Sequence, residues 1–212
     1  MPKTILTSLL FFMAMSIFST VSQAQERPDL LFREDWKVSP AEIPVNQKHI
    51  VNDDLVLHLY GPGQDSLKKS HHDKPLDDPY YVWSGLCLEN WAIAFEHKDY
   101  YANLTGLSKI QWRAKQFGFR QLHIIIQLIN GDWLVSEQAD GASTDWRIKA
   151  FNIKDLTWRQ LDIEQVVEGK IVENPDLSKV AQIGFTDLMR GGKSASCSRL
   201  DWFEVYAFRV KK

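Results

Sequence analysis

Cysteine is nearly absent from this 212-residue chain, which carries only Cys87 and Cys197. They form no CxxC pair, and HExxH, Walker and nucleophile-elbow sequences are missing as well. The short motifs that announce thiol-redox, zincin, nucleotide-hydrolysing or serine-hydrolase chemistry are therefore not available to it. Charge of one sign is also lacking: 25 Lys and Arg face 27 Asp and Glu, a net charge of −2. Bulk electrostatics gives no support to nucleic-acid binding. Helical periodicity is scarce, with at most one turn over Leu177–Ala181, and there is no internal repeat, heptad or low-complexity linker.

One long apolar run exists, from Ile5 to Val21, preceded by Lys3 and followed by Ser22-Gln23-Ala24. A positive start, a short apolar centre and small residues at the cleavage-setting positions read as a leader over residues 1–24. The run is short for a membrane span and ends without a basic stop-transfer cluster. No Cys follows it, which disfavours a lipid anchor. The expectation is a secreted or periplasmic protein with no membrane span after cleavage and one domain over 25–212. In an exported chain Cys87 and Cys197 can pair as a single disulfide closing a long loop. Two reduced, buried thiols are the alternative, since free Cys is among the most buried residue types.

What is present is strand signal. Apolar, β-branched and aromatic runs occur at Leu31–Trp36, His49–Tyr60, Trp91–His97, Lys109–Lys115 and Gln121–Ile129. They continue at Asp132–Ser136, Trp146–Phe151, Trp158–Ile163, Gln182–Thr186 and Leu200–Phe208. Roughly ten short strands with turn chemistry between them predict an all-β sandwich or jelly roll. Eight Trp and eleven Phe are many for this length and belong mostly in the core. The stretch from Gly61 to Pro79 reads as a long functional or mobile loop. Its His71-His72-Asp73 is a solvated run or a source of metal ligands or acid/base groups; neighbouring histidines on an extended chain diverge, which favours the former. Asn103-Leu104-Thr105 matches a glycosylation sequon.

Asn130-Gly131 predicts a two-residue hairpin turn, because both positions tolerate positive φ. That register pairs Leu128 with Trp133 and Ile126 with Val135, so Ile124, Ile126, Leu128, Trp133 and Val135 share the core face. His123, Ile125, Gln127 and Leu134 fall on the other face, half polar, as a binding groove or a loop-covered surface would be. Along Lys109–Lys115, Ile110, Trp112 and Ala114 point inward and Arg113 and Lys115 outward. Trp146, Ile148 and Ala150 alternate in the same way with Arg147, Lys149 and Phe151. If these strands share a sheet with the hairpin, Arg113, Lys115, His123 and Gln127 gather on one face.

The strand Trp158-Arg-Gln-Leu-Asp-Ile, the connection Asp176-Leu-Ser-Lys-Val into Ile183-Gly-Phe185, and the closing Leu200-Asp-Trp-Phe-Glu-Val-Tyr206 carry a resemblance. From about Leu107 to Phe208 the chain resembles the galactose-binding-like sandwiches of family 11 carbohydrate-binding modules and of complex I intermediate-associated proteins. Gly61–Pro79 and Asp187–Arg199 depart from that pattern. The resemblance implies a single-domain jelly-roll sandwich that binds polysaccharide as an accessory protein. It also implies a Ca2+ site where Asp201 meets Glu34 or Asp35, hard oxygen ligands suited to that ion.

The expected ligand is an oligosaccharide or polysaccharide of anionic character. Arg113 and Lys115 would meet carboxylate or sulfate, His123 and Gln127 would add polar contacts, and Trp83 would stack on a sugar ring. The other class of function is a polysaccharide lyase on the same scaffold. Its β-elimination needs a cation against the uronate carboxylate, a base and an acid, for which Arg113, Lys115, His123 and Tyr206 are the candidates.

Overall fold

The computed structural model describes residues 26–212 except 73, 75, 77 and 191–195, so the expected leader lies outside the described residues. Its strands are β1 (Leu30–Glu34), β2 (Leu55–Tyr60), β3 (Lys68–Ser70), β4 (Tyr81–Trp83) and β5 (Trp91–His97). Next come β6 (Tyr100–Asn103), β7 (Lys109–Phe117), β8 (Leu122–Leu128), β9 (Trp133–Asp140) and β10 (Arg147–Asn152). The last are β11 (Trp158–Asp162), β12 (Val167–Val172), β13 (Val180–Asp187), β14 (Cys197–Tyr206) and β15 (Phe208–Lys211). The first sheet runs β10-β7-β14-β4-β3, with β1 also paired to β14. The second runs β12-β11-β9-β8-β13-β5-β2, with β6 paired to β13 and β15 to β6. All pairings are antiparallel, and the fold is an all-β sandwich.

The core is aromatic because large rings fill the space between two sheets about 10 Å apart. Phe203 of β14 sits 5.6 Å from Phe95, 5.8 Å from Phe185 and 6.0 Å from Trp112, ring centre to ring centre, joining the inner faces of both sheets. Ile110, Trp112, Ala114 and Val205 line one side and Ile93, Ile124, Ile126 and Phe185 the other. The Lys109–Lys115 alternation is as the sequence predicts: even positions are buried and odd ones partly exposed.

Two register expectations are corrected. The β8–β9 hairpin pairs Gln127 with Trp133 and Ile126 with Leu134, one residue away from the predicted pairing. Gly131, at φ 94°, donates its N–H to Leu128 O, and Leu128 N–H bonds Asp132 O, so the loop has an extra residue in the left-handed region. A one-residue slip exchanges the faces of β9. Leu134 enters the core, and Trp133 and Val135 join Ile125 on the opposite side. On the edge strand β10 the phase is also reversed. Phe151 points inward, 4.9 Å from Trp112, and Ile148 is exposed. Arg147 turns inward with it and pairs with buried Asp140, which also accepts from Trp112 Nε1 at 2.9 Å.

The expected disulfide is corrected as well. Cys87 and Cys197 are both free and buried. Burial pushes the Cys87 thiol up to about 12, which removes the thiolate that exchange chemistry needs.

The long loop also contains structure, including β3, whose Lys69 is fully buried. Its Nζ donates to Ser39 O at 2.7 Å and lies 4.1 Å over the Tyr80 ring. Neighbouring Glu42 is bonded to Lys48 instead, and burial pulls the Lys69 ammonium down from 10.5 to about 8. Between those values the folded state binds fewer protons than the unfolded chain, so this group adds stability as pH rises. The urea midpoint is expected to gain a component between about pH 8 and pH 10 that a Lys69→Met variant lacks. Identical pH profiles for the two proteins would contradict this assignment.

Candidate functional site

The sequence-derived residues fall into two groups on opposite sides of the molecule. Trp83, Arg113 and Lys115 share the outer face of the first sheet, where Trp83 stands opposite Arg199 and Arg199 opposite Lys115. Lys68 completes that row, 5.6 Å from the Trp83 ring. His123 and Gln127 lie on β8, on the outer face of the second sheet. The expected single face is therefore not formed, because the strand order places β7 and β8 in different sheets. The four groups named for a lyase are separated in the same way, with His123 across the sandwich from Arg113, Lys115 and Tyr206.

Nor are Arg113 and Lys115 available as bare cations. Arg113 Nη1 is 2.7 Å from Asp201, and Lys115 Nζ is 3.6 Å from Asp145. The carboxylates expected to hold Ca2+ are committed elsewhere too. Buried Glu34 accepts the backbone N–H groups of Trp36, Val51 and Asn52, Asp35 takes a bidentate contact from Arg33, and Asp201 holds Arg113. A hard cation needs free oxygens, so these three residues do not fit one. Among the described residues no group of three or more His, Cys, Asp or Glu is placed to hold a metal ion.

The second sheet's outer face is built differently. Register puts His58 and Tyr60 of β2 beside Ala94 and Ala92 of β5, then Gly184 and Thr186 of β13, then Ile125 and His123 of β8. Ala92, Ala94 and Gly184 leave a low floor between taller neighbours. Over it, Tyr60 meets Trp133 edge-on at 5.0 Å and His58 stacks nearly parallel to Tyr60 at 6.2 Å. Polar groups fix the rings: Tyr60 Oη donates to Gln182 Oε1 at 2.9 Å, and His58 Nε2 is 3.0 Å from Glu96 Oε2. Glu96 also accepts from Lys212, and that bond holds its carboxyl below the ordinary range. Burial raises the Tyr60 hydroxyl, so it stays a neutral donor.

One end of this face is covered. The β11–β12 turn, organised by Asp162 accepting from Glu164 N and Gln165 N, carries Val166 back over the sheet. There Val166 O accepts from Asn90 Nδ2 at 2.8 Å, and its side chain fills the space a Cβ on Gly61 would take. Ile125, Val135, Leu161 and Val166 form a second apolar cluster under this strap, with Tyr60 and Ile163 at its rim. Away from the strap His58, Tyr60, Glu96 and Gln127 stay partly exposed over a buried floor. Gln127 stands opposite Trp133. Beyond Trp133 lies a pocket of about 530 Å3 whose lining includes Asp132, Gln160, Asp162 and Glu168.

Ring faces beside amides and carboxylates suit a ligand with apolar C–H faces and hydroxyl edges. Sequence reasoning found Gln127 and His123 but missed His58, Tyr60, Glu96, Trp133 and Gln182. The alternation Val56, His58, Tyr60 was a readable signal; the Trp133 signal was hidden by the register slip.

No family model matches the chain, and no curated protein matches it. Among solved structures it is similar to a family 11 carbohydrate-binding module from Clostridium thermocellum in complex with a β-1,3-1,4-mixed-linked tetrasaccharide. That similarity has a TM-score of 0.46 at 11% identity and covers 81% of this chain and 98% of the module. The family 11 module of the cellulosomal cellulase Lic26A-Cel5E from the same organism is similar to the same degree, with a TM-score of 0.46 and 97% of that chain covered. An exo-β-agarase is similar over 82% of this chain and 26% of its own, with a TM-score of 0.42 at 10% identity. Among the described residues no helix is long and apolar enough to cross a membrane.

Proposed function

We propose that this protein is an exported, non-catalytic polysaccharide-binding protein whose ligand lies along the outer face of the second sheet. The observation that carries the reading is the partly exposed ring pair of His58 and Tyr60, backed by buried Trp133 and flanked by partly exposed Gln127 and Glu96, over a floor of small residues. A sugar chain offers C–H faces to the rings and hydroxyls to the amides and carboxylates. The adjoining carboxylates Asp132, Asp162 and Glu168 repel a polyanion, which favours a neutral polysaccharide in this groove. Export through the leader read over residues 1–24 would bring the groove to such a polymer.

Affinity electrophoresis against neutral β-glucan, xylan, mannan and agarose tests the reading. At least one polymer is expected to retard the wild-type protein. Tyr60→Ala and Gln127→Ala should each weaken that interaction about tenfold, the loss of roughly 1.4 kcal/mol of ring or hydrogen-bond contact. Both variants migrating as wild type on a polymer that binds would refute the placement of the site.

A further inference from the structure

The outer face of the first sheet ends in a second concavity, of about 500 Å3, whose polar lining is Arg27, Lys109, Asn152, Lys154 and Tyr206. Three of its residues form one cross-strand row: Asn152 stands opposite Lys109 and Lys109 opposite Tyr206. Lys154 follows on the short helical turn after β10. Lys109 Nζ lies 4.2 Å from the Tyr206 ring centre and 3.2 Å from Gln111 Oε1, which positions the ammonium without neutralising it.

None of the three cations forms an ion pair among the described residues. Glu26 and Asp29 flank Arg27 in sequence without an ion pair to it, and two other neighbouring carboxylates are already engaged. Glu204 accepts from Arg33, Gln111 and Tyr206, and Asp155 accepts from Asn152 at 2.9 Å. Further along the same face Arg113 and Lys115 have their own acids, Asp201 and Asp145. In a chain of net charge −2, a concave site with three unmatched cations is a local exception.

We propose that this pocket binds an anionic group, a sulfate ester or a uronate carboxylate, carried on a polysaccharide. It is a site separate from the groove on the second sheet. Lys109 and Lys154 supply point charges, Arg27 a guanidinium fork, and Tyr206 an aromatic wall. A free oxyanion would leave most of the volume empty, whereas a single substituted sugar ring is of the right order for it. The two sites face away from each other, so one molecule would bridge a neutral and an acidic chain.

Isothermal titration of the full chain with dextran sulfate, polygalacturonate and inorganic sulfate tests the assignment. At least one polymer is expected to bind, with affinity falling as salt rises from about 50 to about 300 mM, because screening shortens to less than the pocket's reach. Lys109→Ala with Lys154→Ala should lose about tenfold or more, since charge-assisted hydrogen bonds are among the strong ones. Lys68→Ala with Arg199→Ala, on the same face, should bind as wild type, and so should Gln127→Ala, which disables only the groove. If the double variant does not fold, exposed Lys154→Glu alone carries the test with the same expected loss. The proposal is overturned if neither polymer binds, if the pocket variant binds as wild type, if the Lys68/Arg199 variant loses as much, or if inorganic sulfate binds as tightly as the polymers.

Discussion

Arg120→Ala is expected to cost about 3–5 kcal/mol of stability, the range seen when one partner of a buried ion pair is removed. Arg120 and Asp187 have 4% and 0% of their side chains exposed, and Arg120 Nη1 is 3.3 Å from Asp187 Oδ2. Asp187 also accepts from Ser198 Oγ at 3.0 Å and Met189 N at 3.0 Å, and Arg120 donates to Met189 O. The pair thus ties β13 to β14, one strand from each sheet, and holds Met189 just after β13. Removing the guanidinium leaves a carboxylate with no cation in a dry interior, where burial already raises its pKa. A folded-state pKa above the unfolded one stabilises at low pH and loses that advantage as pH rises. The deficit of the variant should therefore be larger at about pH 8 than at about pH 5. Urea unfolding at both values checks it; a loss under about 1 kcal/mol, or one independent of pH, would show that the pair is replaceable.

Gly184→Ala is expected to destabilise by about 3 kcal/mol or more, at the upper end of overpacking effects. Gly184 sits in β13 opposite Ala94 and Ile125, in the middle of the second sheet. A Cβ there would fall 1.8 Å from Ile93 O and 2.6 Å from Ala94 Cα, both backbone atoms that cannot move without breaking the ladder. The same missing side chain makes the low floor under Tyr60. On the proposed placement of the groove, a residual folded fraction should also bind glycan less well than wild type. Thermal melts are the readout, with a fall of roughly 2–4 °C per kcal/mol for a domain of this size. A midpoint within about 2 °C of wild type would contradict the close strand approach.

The sequence made the sandwich legible because its strands alternate cleanly where one face is buried. Lys109–Lys115 was readable for that reason, and Trp91–His97 as a short continuous apolar run, buried on both faces. Short strands with little apolar content, such as Lys68–Ser70 inside the long loop, carried no such signal. His49–Tyr60 looked continuous, yet Gln47–His49 is a turn capped by Asn46, which accepts from Lys48 N. The two register errors have one cause. Alternation tells which residues share a face, but turn geometry and edge position decide which face is inside. At Asn130-Gly131 the loop takes one more residue than the dipeptide alone implies. On β10 the single ring of Phe151 outweighs exposed Ile148. Sheet membership was the remaining gap: nothing local in β7 or β8 states that they belong to different sheets, and the composite anion face failed on that point.

The proposed groove was half visible. His123, Ile125 and Gln127 were recognised as a face neither core nor solvent, and the strap carrying Val166 over that face is the loop cover that was one of its two readings. The rings that give the groove its character come from β2 and β9, distant in sequence, and meet only once strand order is known.

The most direct measurement is a 15N-labelled titration with whichever neutral polysaccharide fragment binds, following backbone amides, the Trp133 indole and the Gln127 and Gln182 side-chain amides. The predicted result is saturable shifts clustered on His58, Tyr60, Glu96, Gln127, Trp133 and Gln182, with Trp83, Arg113 and Lys115 unmoved. Saturable binding whose shifts lie on the first sheet's outer face, with the second sheet silent, would contradict the assignment.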